Sequence, residues 1–316
     1  MILGKNYVFI LGAGASMDFG FPSGGRLFEQ VVRDMLNRST DQYKVVSEIV
    51  GDEKSILDFA TALSRSAQPS VDAFLERRPE FLEVGKLAIA ACLIPYENES
   101  RLFDSIVKEQ NWYEYLFQRL SSGAPDIELF CENQVTFITY NYDRSLEQFL
   151  TLAMSNNYAD AYNQLPAIWK KIPIIHLHGA LGRFLYDSDG GNVREYTSLL
   201  ERKAVEIAAA EIRIIHETID DEPQFLRAHA ALKAAETVIF LGFGFHRKNL
   251  QRLRLEETTC NSFFATIIGM EGAEINHLQS MFAGRSLSPA ALSIVQFLRT
   301  RGLLLEMPKS IFSKLS

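Results

Sequence analysis

The sequence predicts an α/β fold, a doubly wound parallel sheet, and three observations carry that expectation. Short apolar runs of strand length recur along the chain, most of them continuous rather than alternating, as strands must be when helices cover both faces of a parallel sheet. Helical patterns stand between them. Two of the runs empty into glycine-rich turns, Gly12-Ala13-Gly14-Ala15-Ser16 and Gly242-Phe243-Gly244-Phe245, at the carboxyl ends of strands where sheets of this kind open their binding crevice.

The first expected strand is Tyr7–Leu11, followed by Val135–Thr139, Ile172–Leu177, Thr237–Leu241 and Phe263–Ile268, with a weaker candidate at Leu303–Met307. The long span between Leu11 and Val135 is almost entirely helical in composition, and Phe81, Val84, Leu87, Ala88 and Ala91 recur there at helical spacing. Part of it is therefore expected as a helical insertion centred on Asp58 to Pro95. The division that follows is one domain over 1–316, with a core of 1–50 plus 131–316 and an insertion over about 51–130. Tyr196–Ala210 reads as helix, Glu211–His216 as a short edge strand or extended link, and Tyr186–Val193, rich in turn residues, as a mobile flap. Near the end, Ser288 and Pro289 read as the N-cap and first residue of a helix carrying Leu292, Val295 and Leu298.

With 47% hydrophobic and 22% charged residues, the 316-residue chain can bury a large core. No stretch approaches the roughly 20 apolar residues of a membrane helix, and MILGKNYVFIL runs straight into a strand without the pattern of a signal peptide. The expected location is the cytoplasm, with no membrane partner. Cys92, Cys131 and Cys260 lie far apart and offer neither a disulfide framework nor zinc spacing. The net charge of −7, with its basic residues dispersed, opposes autonomous binding to nucleic acid. One small basic patch, His246, Arg247, Lys248, Arg252 and Arg254, fits a solvated helix face as well as a nucleotide phosphate or an acidic neighbour.

Four segments carry residues suited to chemistry. Gly12 and Gly14 let the backbone turn sharply and approach a diphosphate at a helix N-terminus, although a glycine turn that merely packs a helix on a strand has the same pattern. Met17 stands where a dinucleotide fingerprint wants a third small residue, which weakens a dehydrogenase reading. The apolar run ending at Ile138 delivers Thr139, Asn141 and Asp143 on alternate positions, with Asp143 suited to cap a helix over Arg144–Leu152. His176 and His178 likewise alternate, and Gly179 frees the backbone beyond them; a histidine so placed is often structural. Gly242 and Gly244 form the last turn. Convergence of these strand ends on one crevice is what favours a site.

GAGAS, FITYNYDRSLE, HLHG and VIFLGFGF, in this order and spacing, resemble sirtuin-like domains with a Rossmann-like sheet, above all the bacterial members that act as NAD hydrolases in antiphage defence. SVDAFLERRPEFLEVGKLAIA also resembles a helical segment of those members, so the resemblance spans about residue 5 to 270. It implies that Gly12, Ala13, Gly14 and Ser16 form the phosphate loop, that Asn141 orients the nicotinamide ribose and a water, that His178 is the base, that Gly242 and Gly244 run along ribose and phosphates, and that Asp143 shapes the pocket. The role of His176 stays open. The zinc ribbon of protein-deacylating sirtuins has no counterpart, since no cysteine lies between Cys131 and Cys260, and their Gly-Ile-Pro-Asp-Phe-Arg turn is replaced by Gly20-Phe-Pro-Ser-Gly-Gly-Arg26. The implied activity is cleavage of NAD as substrate, without zinc and without a peptide acceptor. Sensing of NAD or ADP-ribose without turnover, and protein deacylation, are the alternatives. A homo-oligomer, or a HerA-type ATPase as found beside some relatives, would supply regulation through the helical surface around 58–130.

Overall fold

The computed structural model describes residues 5–104, 111–184, 192–214, 222–282 and 284–304. Its framework is a six-stranded sheet in the order β3-β2-β1-β4-β5-β6, and every neighbouring pair is parallel. The strands are β1 (Tyr7–Leu11), β2 (Val135–Thr139), β3 (Ile174–His176), β4 (Thr237–Leu241), β5 (Ser262–Thr266) and β6 (Ser286–Ala290). This is the Rossmann-like α/β order, in which the winding reverses between β1 and β4. Apolar residues on both sides of each central strand explain it: Tyr7, Phe9 and Leu11 enter one hydrophobic cluster, Val8 and Ile10 the other.

Among the described residues, the β1–β2 connection holds α1 (Gly24–Leu36), α2 (Asp41–Val50), α3 (Glu53–Ser64), α4 (Val71–Leu75), α5 (Leu82–Leu93), α6 (Glu99–Leu102), α7 (Trp112–Ser121) and α8 (Ile127–Phe130). These join α9 (Ser145–Asn157), α10 (Ala161–Lys171) and α11 (Arg202–Glu211) on the Phe9 side of the sheet. On the Ile10 side lie α12 (Pro223–Ala234), α13 (Arg247–Arg252) and α14 (Gly272–Met281), with α15 (Ile294–Thr300) returning to the first side. The hydrophobic cluster on the first side runs without a break from β1 through α1–α5 to β2, so the helices of the long connection share the core of the sheet.

Three expectations need correction. Ser288 and Pro289 belong to the edge strand β6, and the last helix starts at Ile294, where the Ser293 hydroxyl accepts from the Gln296 N–H at 3.3 Å. The Pro289 carbonyl turns away from β5 to accept from Arg301 Nη2 at 3.0 Å, so the missing N–H falls on the open edge and removes no ladder bond. After β1 there is no long helix; two three-residue 3₁₀ turns, Ala13–Ala15 and Met17–Phe19, come first, and α1 begins only at Gly24, beyond Pro22. The helix dipole expected at Gly12–Ser16 is therefore that of a single short turn. Thirdly, helix α11 extends to Glu211, and of the two readings for the segment up to His216 the described residues Ile212 to Ile214 fit the extended link and form no strand. Residues 215 and 216 of the expected link, residues 186–191 of the expected flap and residues 305–307 of the weaker strand lie outside the described residues.

Candidate functional site

At the switch point the loops after β1 and β4 cross backbone on backbone. Gly12 N–H donates to the Leu241 carbonyl (3.1 Å) and Gly14 N–H to the Gly242 carbonyl (3.0 Å). A Cβ on Gly12 would lie 2.5 Å from the Gly242 oxygen, and one on Gly14 would lie 2.7 Å from the Gly242 Cα. Gly242 has φ +57°, and its Cβ would come within 2.2 Å of the Ala15 nitrogen. Chain crossing thus accounts for these three glycines, and two of the N–H groups expected for phosphate are already engaged. Gly244 differs. It is exposed, and the nearest atom to its Cβ would be the tip of His246 at 3.4 Å, so packing does not demand glycine there.

Asn141 fastens the end of β2 to this crossing. Its Nδ2 donates to the Gly12 carbonyl (3.0 Å) and to Ser16 Oγ (3.1 Å). Trp112 of α7 holds the same loop by donating Nε1–H to the Ala15 carbonyl at 2.8 Å. Asp143 is buried, and its carboxylate accepts from the Ser145 N–H (3.2 Å) and from the Ser145 hydroxyl. It caps α9 from one residue before the N-cap position, which Arg144 occupies. Burial pushes the Asp143 carboxyl above its ordinary value, against the hydroxyls of Ser145 and Ser16, which favour the anion.

The two histidines have separate tasks. The β3 ladder ends at His176, so the alternation that would put both imidazoles on one side stops there. His176 Nδ1 lies 2.9 Å from the Asn141 carbonyl, and its Nε2 meets Glu147 Oε1. Both partners are oxygen atoms that can accept, an arrangement that favours hydrogen on both ring nitrogens, the imidazolium form. Burial opposes the charge, but Glu147 and the Asn141 carbonyl outweigh it and raise the His176 pKa. With both ring nitrogens engaged, His176 is not placed to act as the base; it holds the Asn141 main chain.

His178 is buried beyond the strand end, packed beside the Tyr140 ring at 5.5 Å and the Tyr142 ring at 6.3 Å. Its main chain is fixed because the His178 carbonyl accepts from Arg213 N–H at 2.8 Å, and Gly179, at φ +73°, passes so close to Glu211 that a Cβ would lie 1.9 Å from its carbonyl oxygen. Nδ1 faces Asp72 Oδ1 at 3.6 Å, and the same Oδ1 accepts from the Tyr142 hydroxyl. Among the described residues Nε2 is buried with no hydrogen-bond partner. A buried polar atom ordinarily has a partner, so Nε2 is free to take one from a ligand or water.

Asp72, Tyr142, Glu147 and Glu97 were not legible as site residues. Glu97 is fully buried and receives Arg144 Nε at 2.9 Å and Nη2 at 2.8 Å, while Arg194 Nη2 reaches the same carboxylate. Helix α4 is anchored at its far end because Glu76 pairs with Lys248 (2.8 Å) and Arg252 (2.9 Å) of α13. Two cations of the basic patch, Lys248 and Arg252, thus share a carboxylate within the fold. A separate cavity of about 420 Å³, lined by Arg144, Glu147, Trp169, His176, Arg183 and Arg213 among others, opens on the other side of β3 and includes neither Asn141 nor His178. Among the described residues no cluster of three or more His, Cys, Asp or Glu could hold a metal ion, and no helix is long and apolar enough to cross a membrane.

Residues 135–257 match the family model of the SIR2-like domain. The match runs from the first residue of β2 through α13 and takes in Asn141, Asp143, His176, His178, Gly242 and Gly244. The Gly12–Ser16 loop and Asp72 lie outside it, yet β1 is inserted between β2 and β4 and brings that loop against both. No curated protein matches the chain.

Proposed function

We propose that this protein is an NAD⁺ hydrolase that cleaves the bond between nicotinamide and ribose, giving nicotinamide and ADP-ribose. The SIR2-like match supports NAD-related activity in general. The observation that carries the finer reading is the buried His178 Nε2, unpartnered among the described residues, at the same strand ends where Asn141 is tied to Gly12 and Ser16. In this reading the C–N bond breaks with its electron pair leaving on nicotinamide, which departs as a neutral pyridine and needs no general acid. Water adds to the anomeric carbon and its proton passes to His178 Nε2. Asn141, held by two hydrogen bonds, offers its remaining polar atom to ribose or water without bringing charge. His176, as an imidazolium, keeps that main chain in place.

Cleavage that never stopped would drain NAD from the host cell. The reading therefore includes control by assembly, through a homo-oligomer or a HerA-type ATPase, and a role in antiphage defence by NAD depletion in the cytoplasm. It also keeps the helical layer over about 51–130 as an insertion in a single domain, with the helical surface around 58–130 as the contact region for such a partner. No zinc and no peptide acceptor are required.

The test is to incubate the purified protein with NAD at near-neutral pH and quantify nicotinamide and ADP-ribose beside Asn141→Ala and His178→Ala. Removal of the base is expected to slow release by about 10²–10⁴-fold. Tight NAD binding without release, in the isolated protein and in its assembled form, would instead make it a sensor. Release that depends on an acylated peptide would make it a deacylase.

A further inference from the structure

Helix α4 reaches the candidate site from the helical layer and presents one carboxylate to it. Its position is fixed from below: Phe74 packs with Phe59 (6.0 Å between ring centroids) and Phe81 (5.8 Å), and Gly85 of α5 makes room for Leu75, whose Cδ2 would be 2.5 Å from a Cβ at that position. It is fixed from the side by the Glu76 pairs with Lys248 and Arg252. Between these anchors Asp72 Oδ1 stands 3.6 Å from His178 Nδ1 and accepts from the Tyr142 hydroxyl.

We propose that Asp72 is the positioning residue for His178, its carboxylate fixing the imidazole with hydrogen on Nδ1 and the lone pair on Nε2. The proposal rests on the NAD-hydrolase reading for the meaning of that lone pair, but its geometry does not depend on it. A carboxylate on one side of an imidazole selects the tautomer and orientation of the other side. At 3.6 Å the contact is an ion-pair distance, of the kind that shortens to a hydrogen bond when a complex forms. The Asp72 carboxyl itself is held below its ordinary value: burial opposes the anion, and His178 and the Tyr142 hydroxyl overcome that.

The other groups around the imidazole do not substitute for Asp72. Tyr140 and Tyr142 approach from the end of β2, both pushed up by burial and therefore neutral hydroxyls. Tyr140 spends its hydroxyl hydrogen on the Asn249 carbonyl at 2.8 Å. Glu76, one turn further along the chain, is neutralised by α13, and Arg213 meets His178 through its main-chain N–H.

The test joins a spectroscopic and a kinetic readout. Histidine-selective ¹⁵N NMR of the whole protein, with the His178 signals assigned by their loss in His178→Ala, reports the tautomer of the neutral ring. The Nδ1–H form is expected in the wild type and its loss in Asp72→Asn. In kinetics with NAD, Asp72→Asn is expected to lower nicotinamide release roughly 10–100-fold. Tyr142→Phe leaves Oδ1 freer for the imidazole and keeps the Nδ1–H tautomer. An unchanged tautomer in folded Asp72→Asn, or an Nε2–H ring in both the wild type and Tyr142→Phe, would overturn the proposal. A tautomer that responds as expected in a protein that releases no nicotinamide would leave the positioning role standing and sink the hydrolase reading.

Discussion

Gly242 and Gly244 look alike in the sequence and stand in different physical situations, and alanine at each position separates them. At Gly242 the backbone has φ +57°, which costs an L-residue about 1–2 kcal/mol. The new Cβ would sit 2.2 Å from the Ala15 nitrogen, 2.3 Å from the Gly14 carbonyl carbon and 2.6 Å from the Gly14 Cα. All three are main-chain atoms, so no rotamer change relieves the overlap and the two loops must separate, an overpacking penalty of about 1–3 kcal/mol. Together Gly242→Ala is expected to destabilise by about 2–5 kcal/mol. At Gly244 the nearest contact is a flexible imidazole at 3.4 Å, and alanine should stay within about 0.5 kcal/mol of the wild type. Urea unfolding of both variants, compared at unchanged slope, measures the difference. Equal midpoints for Gly242→Ala and Gly244→Ala would refute the backbone crossing as the reason for glycine at 242.

Glu97→Gln removes the anion that neutralises Arg144 and Arg194 in the interior and is expected to cost about 3–5 kcal/mol in the same unfolding experiment; a cost under about 1 kcal/mol would contradict the buried network. The His176 pKa is raised in the folded state, so its pairing with Glu147 contributes fully below the ordinary value of 6.5 and fades as pH rises through the raised value. Glu147→Gln should therefore lower Tm more near pH 6 than near pH 9, and a gap that widens with pH would count against the imidazolium. Glu76 is held below its ordinary value of 4.5, with burial opposed by Lys248 and Arg252. Its contribution is present above that value and lost as pH falls through the depressed one, so the stability gap between wild type and Glu76→Gln should close in acid.

The strands at the centre of the sheet were legible in the sequence because both of their faces are buried: Tyr7–Leu11, Val135–Thr139 and Thr237–Leu241 are continuous apolar runs with the bounds expected. The edge strand Ser286–Ala290 was hidden because only one side of it pairs and its residues, Ser-Leu-Ser-Pro-Ala, mimic a helix start. The polar residues at strand ends could be picked out, but not their partners. Asp72 meets His178 only because α3–α5 pack α4 over the end of the sheet, and nothing local marks that contact. The glycine turns were visible, yet their reason, one backbone crossing another, is a tertiary fact. His176 illustrates the same limit: its charge follows from two acceptors, Glu147 and the Asn141 carbonyl, that converge only in the folded chain.

The most direct test of the central claim is to incubate the protein with NAD and quantify every product. The account predicts free nicotinamide and ADP-ribose in equal amounts, with both products lost in His178→Ala. Bound NAD recovered intact from the isolated and the assembled protein, or nicotinamide released with a cyclised or peptide-bound product in place of ADP-ribose, would contradict it.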